Sequence, residues 1–311
     1  MFLSSDSGFV KWASGRTPES RLAVIMAFTK STVWITGAGG LIGNYLVKTP
    51  AQFAPGLQVV GLTRAQLDLA DFATVRRAFR EQCPQVVIHC AAMSKSPACQ
   101  ADPALARKLN VDVTACLAEL AVEIQFIFFS TDLVFNGEQG NYAETATPNP
   151  LSVYAETKVA AERIVLTNPR HTVIRTSLNG GTSPTGDRGF NEELRRAWIA
   201  GRRLSLFADE FRSPIPATAT ARAVWELITK RAIGIFHVAG SERLSRFQIG
   251  ELIAARWPRL NPVVEAGSLR NFSGAPRPPD TSLNCAKAQR DLSFRLPGLR
   301  AWLGEHPSEP F

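Results

Sequence analysis

Residues 36–43 read Thr-Gly-Ala-Gly-Gly-Leu-Ile-Gly, TGAGGLIG, directly after an apolar run and directly before a segment of helical spacing. Glycines at such a strand-to-helix bend permit positive φ, let the backbone approach a pyrophosphate, and let the helix pack close to its sheet. The helix N-terminus brings partial positive charge to the same place. GxGxxG fails here because position 42 is Ile, whereas GxxGxxG runs through Gly37, Gly40 and Gly43. The loop predicts a dinucleotide site, with Leu41 and Ile42 at the helix start among its contacts.

Around that loop the apolar pattern alternates. Strand-like runs at 32–36, 58–62, 85–90, 125–130 and 172–175 are separated by helical spacing at 73–82, 104–122 and 154–167. Strand, helix, strand repeated in this way predicts an α/β fold, a doubly wound parallel sheet of Rossmann type. After residue 175 the rhythm changes. Segments 180–189 and 271–280 are rich in Gly, Ser, Thr or Pro and read as loops, with helices at 191–200, 218–230 and 245–256 and a strand at 234–238 between them. The expected organisation is a dinucleotide-binding domain over 31–175 and a smaller mixed α/β substrate lobe over 176–311, from which about 214–230 returns to the first domain.

The chain has 311 residues, 45% of them hydrophobic and 20% charged, which excludes collagen, disorder and a disulfide miniprotein. Its formal charge is +8, from 35 Lys plus Arg against 27 Asp plus Glu. That balance raises a polyanion as partner, but the basic residues are scattered in doublets such as Arg76 and Arg77 or Arg202 and Arg203, with no run of five. No nucleic-acid partner is expected. Most of the basic residues are Arg, whose planar fork suits phosphate, so a small phosphorylated ligand fits the same composition. The cysteines Cys83, Cys90, Cys99, Cys116 and Cys285 contain no CxxC pair, so neither a disulfide framework nor a metal site is indicated, and a cytoplasmic setting is expected. No apolar stretch approaches the roughly 18 residues that span a bilayer, and the short run 22–28 does not read as a signal peptide. Residues 1–30 read as a partly disordered N-terminal extension.

Two further segments carry chemistry. At the end of the second strand an NAD site places Asp or Glu to hold the ribose hydroxyls. This chain has Thr63 and Arg64 there, and an Arg pairs with a 2′-phosphate, so NADPH is favoured over NADH. Tyr154 and Lys158 lie four residues apart on one helical face. A phenol titrates near ~10, and a neighbouring ammonium stabilises its phenolate, which suits Tyr154 to proton transfer at an oxygen that gains charge. The run 128–132, Phe-Phe-Ser-Thr-Asp, ends a buried-type strand in two hydroxyls, so Ser130 or Thr131 is presented at the ligand crevice.

TGAGGLIG at 36–43, CAAMS at 90–94, STDLVFNG at 130–137, YAETK at 154–158, ADEFRSPIPA at 208–217 and RPPDTSL at 277–283 follow one another as in the extended short-chain dehydrogenase/reductases. Over about residues 31–304 the chain resembles the dTDP-4-dehydrorhamnose reductase family. That resemblance implies NADPH-dependent reduction of a 4-keto deoxysugar nucleotide by a cytoplasmic monomer or homodimer. It makes Thr131, Tyr154 and Lys158 the catalytic triad. It places Asp68 and Leu69 beside the adenine, Cys90, Ala91 and Ala92 along the cofactor, and Thr176 and Ser177 past the nicotinamide. For the substrate it implies Ser94, Asp132, Phe135 and Pro214, with Arg212 and Arg277 for a diphosphate.

The chain departs from the family pattern near the sugar, with Leu133 for a Tyr, Leu178 for a Trp and Arg212 for a Gly, which leaves the sugar open. Rival readings are a non-catalytic homologue of the regulatory subunit of methionine adenosyltransferase, and an epimerase or dehydratase that recycles its cofactor. His89 and His237 lie in apolar strands and read as core histidines. Trp198, Trp225 and Trp257 read as core on amphipathic helices.

Overall fold

The computed structural model describes residues 31–309 and 311, so the expected N-terminal extension lies outside the described residues. Six parallel strands, β1 (Ser31–Thr36), β2 (Leu57–Leu62), β3 (Val86–His89), β4 (Gln125–Thr131), β5 (Thr172–Thr176) and β6 (Gly234–Val238), form one sheet in the spatial order 2-1-3-4-5-6. Their near-continuous apolar runs follow from burial on both faces. Val33, Ile35, Ile88, Ile127, Phe129 and Ile174 point into one core, and Trp34, Val87, Phe126, Phe128 and Val173 into the other. The first core is closed by helices α1 (Leu41–Lys48) and, later in the chain, Ala217–Thr229. The second is closed by α2 (Phe72–Gln82), α3 (Val113–Leu120) and α4 (Val153–Val165).

Two expectations change. The strand at 234–238, placed in the substrate lobe by its position in the sequence, is the sixth strand of the main sheet, in register with β5 from Gly234 on Thr172 to Val238 on Thr176. The helix before it, Ala217–Thr229, packs on the sheet through Ala219, Val224, Trp225 and Ile228, so the returning segment runs well beyond residue 230. The helix expected over 104–122 is three pieces, Pro103–Arg107, a π-turn at Lys108–Asp112, and α3. The lobe itself is built from α5 (Phe190–Ile199), α7 (Arg246–Ala254) and two short strand pairs, Leu204–Phe207 with Val264–Gly267 and Phe211–Arg212 with Leu244–Ser245, while α6 (Ala217–Thr229) stays with the sheet. Its core gathers Trp198, Ile249, Leu299 and Trp302. Residues 31–311 make one compact unit.

Both strand histidines are core residues. His89 bonds Thr36 Oγ1 at 2.6 Å and Thr114 Oγ1 at 3.2 Å, and burial pushes it down to about 3. His237 Nδ1 meets the Tyr142 carbonyl at 3.0 Å while Arg175 Nη1 lies 3.4 Å from Nε2, a neutral imidazole with one ring nitrogen for each. Arg175 in turn grips Glu162 from α4, Nη2 to Oε2 at 2.7 Å and Nε to Oε1 at 3.0 Å, with both side chains enclosed. Breaking such a pair leaves a buried charge uncompensated, whereas replacing both members removes the charge with the partner. Glu162→Gln should therefore cost about 3–5 kcal/mol of unfolding free energy, and Glu162→Leu with Arg175→Met clearly less. Urea unfolding of the three proteins checks this, and an equal cost for single and double variants contradicts it.

Candidate active site

The strand order reverses between β1 and β3, and in open α/β sheets the ligand crevice lies outside the carboxyl ends of the strands at that point. Gly37 occupies it with φ +70°, and a Cβ there would sit 2.6 Å from Ala91 N and 2.8 Å from Cys90 C. A Cβ on Gly43 would overlap the Gly37 carbonyl, so the third glycine lets α1 start directly beneath the loop. Ala91 and Ala92 line the rim, half-buried and exposed respectively. At the end of β2 the Thr63 hydroxyl and N–H both donate to Gln66 Oε1. The Arg64 side chain is 86% exposed and 4.0 Å from Asp68, while Leu69 packs along the second core.

Beside this cradle the Thr, Tyr, Lys set comes together. Thr131 ends β4, and its hydroxyl accepts from Leu133 N at 3.2 Å and donates to Asp132 Oδ1 at 3.1 Å. Tyr154 lies in the first turn of α4, capped by Ser152. Burial and then the Asp132 charge push the Tyr154 phenol above its usual range, and hydrogen bonding with Thr131 pulls the other way. One turn on, Lys158 is enclosed, its ammonium 3.9 Å above the Phe128 ring. Burial pushes Lys158 down to about 7 against the pull of Glu162 and Cys90. Ser130, two residues after Phe128 on the same strand face, holds a buried hydroxyl with no partner among the described residues. A glycine-lined approach between two strand ends, an orphaned hydroxyl and an enclosed lysine fit a dinucleotide, which Gly37, Gly43, Ser130 and Lys158 would hold.

On the substrate side the structure encloses four of the six expected contacts. Phe135 is fully buried, its ring stacked on Tyr142 at a 4.1 Å centroid distance, so it is a packing residue. Pro214 is buried against Gly240. Asp132 is buried as an internal acceptor, taking the Ser177 hydroxyl at 2.7 Å and the Thr281 hydroxyl at 3.0 Å, with Arg212 Nε at 3.8 Å. Arg212, expected at a diphosphate, spends its guanidinium on the Phe211 and Pro278 carbonyls at 2.7 and 3.2 Å and on Glu210 at 2.9 Å. Ser94 is exposed, and Arg277 is 35% exposed with a two-point grip on Glu210. Thr176 and Ser177 are tied inward as well, Thr176 to Asn179 and Ser177 to Asp132. Leu178, in place of the family's Trp, packs toward the lobe core.

Three residues that shape the site went unnoticed in the sequence. Asn110, on the π-turn, receives Met93 N–H at 2.7 Å and donates to Met93 O at 3.1 Å and to Thr157 Oγ1 at 2.9 Å, tying the loop after β3 to α4. A helix that widens by one residue at this contact fits the association of π-turns with functional sites. Glu192 accepts from Ser183, Arg188 and Gly189 N–H groups and from the Ser183 hydroxyl, and so folds the loop expected at 180–189. Glu210, fully buried, gathers Arg212, Arg246 and Arg277. A lone Asn or Glu on a mixed helix or turn gives no spacing signal. Among the described residues no group of three or more His, Cys, Asp or Glu is placed to hold a metal, and no helix is long and apolar enough to cross a membrane.

Residues 31–307 match the RmlD substrate binding domain family. The chain is 29% identical over 283 residues to the probable low-salt glycan biosynthesis reductase Agl14 of Haloferax volcanii, covering 86% of this chain and 94% of that one. It is 28% identical over 275 residues to the methionine adenosyltransferase 2 subunit beta of Xenopus laevis, covering 82% and 81%. The solved dTDP-4-dehydrorhamnose reductase of Bacillus anthracis, in complex with NADP, superposes with a TM-score of 0.79 at 25% identity, covering 89% of this chain and 98% of that one.

The buried lysine has a measurable signature. Its folded value near 7 lies below the 10.5 of a free lysine, so between those values the unfolded chain binds the extra proton. The contribution of Lys158 to stability is then lost as pH falls through about 7 and grows as pH rises above it. Urea unfolding at about pH 7 and pH 8.5 should show the wild type gaining up to roughly 1.4 kcal/mol per pH unit relative to Lys158→Met. Parallel pH dependence of the two proteins contradicts the assignment.

Proposed function

The chain belongs to the RmlD substrate binding domain family, and from that premise we propose that it reduces the 4-keto group of a deoxysugar nucleotide with NADPH. The observation that carries the reading is the meeting of Thr131 and Tyr154 at the end of β4, one helical turn from the enclosed Lys158 and beside the glycine cradle. NADP in the Bacillus anthracis relative and the open Arg64 at the end of β2 support the phosphorylated cofactor.

Bound NADPH supplies the hydride that reaches the carbonyl carbon. The chain's own residues do the rest. Thr131 turns its hydroxyl from Asp132 to the carbonyl oxygen, and Tyr154 donates its proton as that oxygen gains negative charge. Burial and Asp132 both favour the protonated phenol, which keeps the acid loaded before reduction. Lys158 is placed to stabilise the phenolate left behind and to hold ribose hydroxyls.

Dehydratase chemistry, which needs a further free acid or base beside the triad, is disfavoured because the oxygens of Asp132, the carboxylate there, already take three hydroxyls and face a guanidinium. The likeness to methionine adenosyltransferase 2 subunit beta supports a second reading, a cofactor-binding partner protein, against which stands the complete Thr131, Tyr154 and Lys158 set. With dTDP-4-keto-6-deoxy sugars offered, the wild type should consume NADPH, and Tyr154→Phe should lose about 10²- to 10⁴-fold in kcat with NADPH affinity unchanged. Arg64→Ala should raise the KM for NADPH and leave that for NADH in place. Full activity in Tyr154→Phe sinks the proton-donor role.

A further inference from the structure

Segment 90–93 leaves the end of β3 along the rim of the cradle, and one residue of the π-turn, Asn110, holds it at two points. At Met93 the hold is direct, through the Asn110 side chain. At Ala91 it is indirect. The Asn110 carbonyl takes the Thr114 hydroxyl at 2.7 Å, Thr114 Oγ1 lies 3.2 Å from His89 Nε2, and His89 Nδ1 lies 2.6 Å from Thr36 Oγ1. Thr36 Oγ1 in turn accepts from Ala91 N–H at 3.4 Å. Asn110, Thr114, His89 and Thr36 are all buried, and Thr36 and His89 are register partners at the ends of β1 and β3.

The chemistry of these groups fixes the direction of each bond. A carbonyl only accepts, so the single hydroxyl proton of Thr114 goes to Asn110, and the Thr114 oxygen is left to accept from the imidazole. Nε2 therefore carries the ring proton. Nδ1 is then a bare acceptor that takes the Thr36 hydroxyl proton, which leaves the Thr36 oxygen for Ala91 N–H. The ring sits among Phe126 and Phe128, at 6.1 and 5.9 Å between centroids, and burial first and then the Lys158 charge hold it uncharged.

The last bond of this relay falls where room is least. A Cβ on Gly37, the residue after Thr36, would lie 2.6 Å from Ala91 N, so the chain leaving β1 and the chain leaving β3 cross with almost no slack at the mouth of the crevice. A small shift of Ala91 against Thr36 changes the gap that a dinucleotide has to enter. We propose that His89 is a positioning residue for the cofactor: as the Nε2-protonated tautomer it passes the fixed place of the π-turn through Thr36 to the Ala91 N–H, and so sets the gap between the ends of β1 and β3. The inference rests on the dinucleotide reading of the cradle.

Two amides separate the ends of the relay. His89→Asn sets an amide oxygen at the place of Nδ1 and keeps the acceptor for Thr36, while His89→Gln sets an amide nitrogen at the place of Nε2 and keeps only the donor to Thr114. In fluorescence titration of the full chain with NADPH, His89→Asn should bind within about 3-fold of the wild type and His89→Gln about 10-fold more weakly. Thr36→Val, which removes the hydroxyl between His89 and Ala91, should also bind about 10-fold more weakly, and adding it to His89→Gln should weaken binding no further, because both break the same bond. In the wild type, nitrogen magnetic resonance of the histidine rings, with His89 identified by its loss in His89→Asn, should show a protonated Nε2 and a bare Nδ1. Urea unfolding of each variant is measured beside binding. The proposal is overturned if His89→Gln binds NADPH as tightly as the wild type, if His89→Asn binds as weakly as His89→Gln, if affinity across the variants merely follows their stability, or if the ring proton sits on Nδ1. If the wild type takes up no NADPH, the dinucleotide reading falls and the positioning role with it; if it does and the two amides do not separate, the positioning role falls alone.

Discussion

One buried carboxylate, Asp132, joins the end of β4 to the segments that close the candidate site. Its two oxygens take hydroxyls from Thr131 at the end of β4, from Ser177 just past β5 and from Thr281 in the 277–283 segment, and they face the Arg212 guanidinium. Segments far apart in sequence meet at one charge, and buried polar groups satisfied in this way specify a single arrangement. The same segment around Thr281 is pinned to the loop after β4, where Tyr142 N–H reaches the Ser282 carbonyl at 2.9 Å and Asn284 N–H the Tyr142 carbonyl at 2.8 Å. Asp132 also bears on Tyr154, where burial first and then the Asp132 charge favour the protonated phenol.

The distribution of arginine follows a related rule. Exposed members such as Arg76, Arg170 and Arg203 pair singly with Glu119, Glu123 and Glu265, contacts that each contribute little in water. Enclosed members gather on Glu162 and Glu210. Among the described residues, three of the arginines behind the balance of +8 crowd on Glu210.

The sheet and the cofactor loop were legible because they depend on periodicity and on glycine. Apolar runs such as Val86–His89 and Gln125–Thr131 read as buried parallel strands, and the loop at 36–43 needs glycine where Gly37 crosses Ala91. Strand β6 was misplaced because membership in a sheet is decided by pairing, and Gly234–Val238 sits in the sequence among lobe elements. That Thr131, Tyr154 and Lys158 lie together was legible through spacing and resemblance. Phe135 and Arg212 were misjudged because burial is a tertiary property: one stacks on Tyr142 and the other is consumed by Glu210. Asn110 and Glu192 gave no signal, since each acts by hydrogen bonds to backbone groups of a loop.

The most direct measurement is a single turnover with NADPH carrying deuterium at the transferable position of the nicotinamide, followed by mass and magnetic-resonance analysis of the sugar nucleotide. A net reductase built on Tyr154 and Lys158 predicts one deuterium on the former carbonyl carbon and a stoichiometric amount of oxidised cofactor. A product without deuterium, or a cofactor that returns to its starting redox state after each turnover, contradicts it.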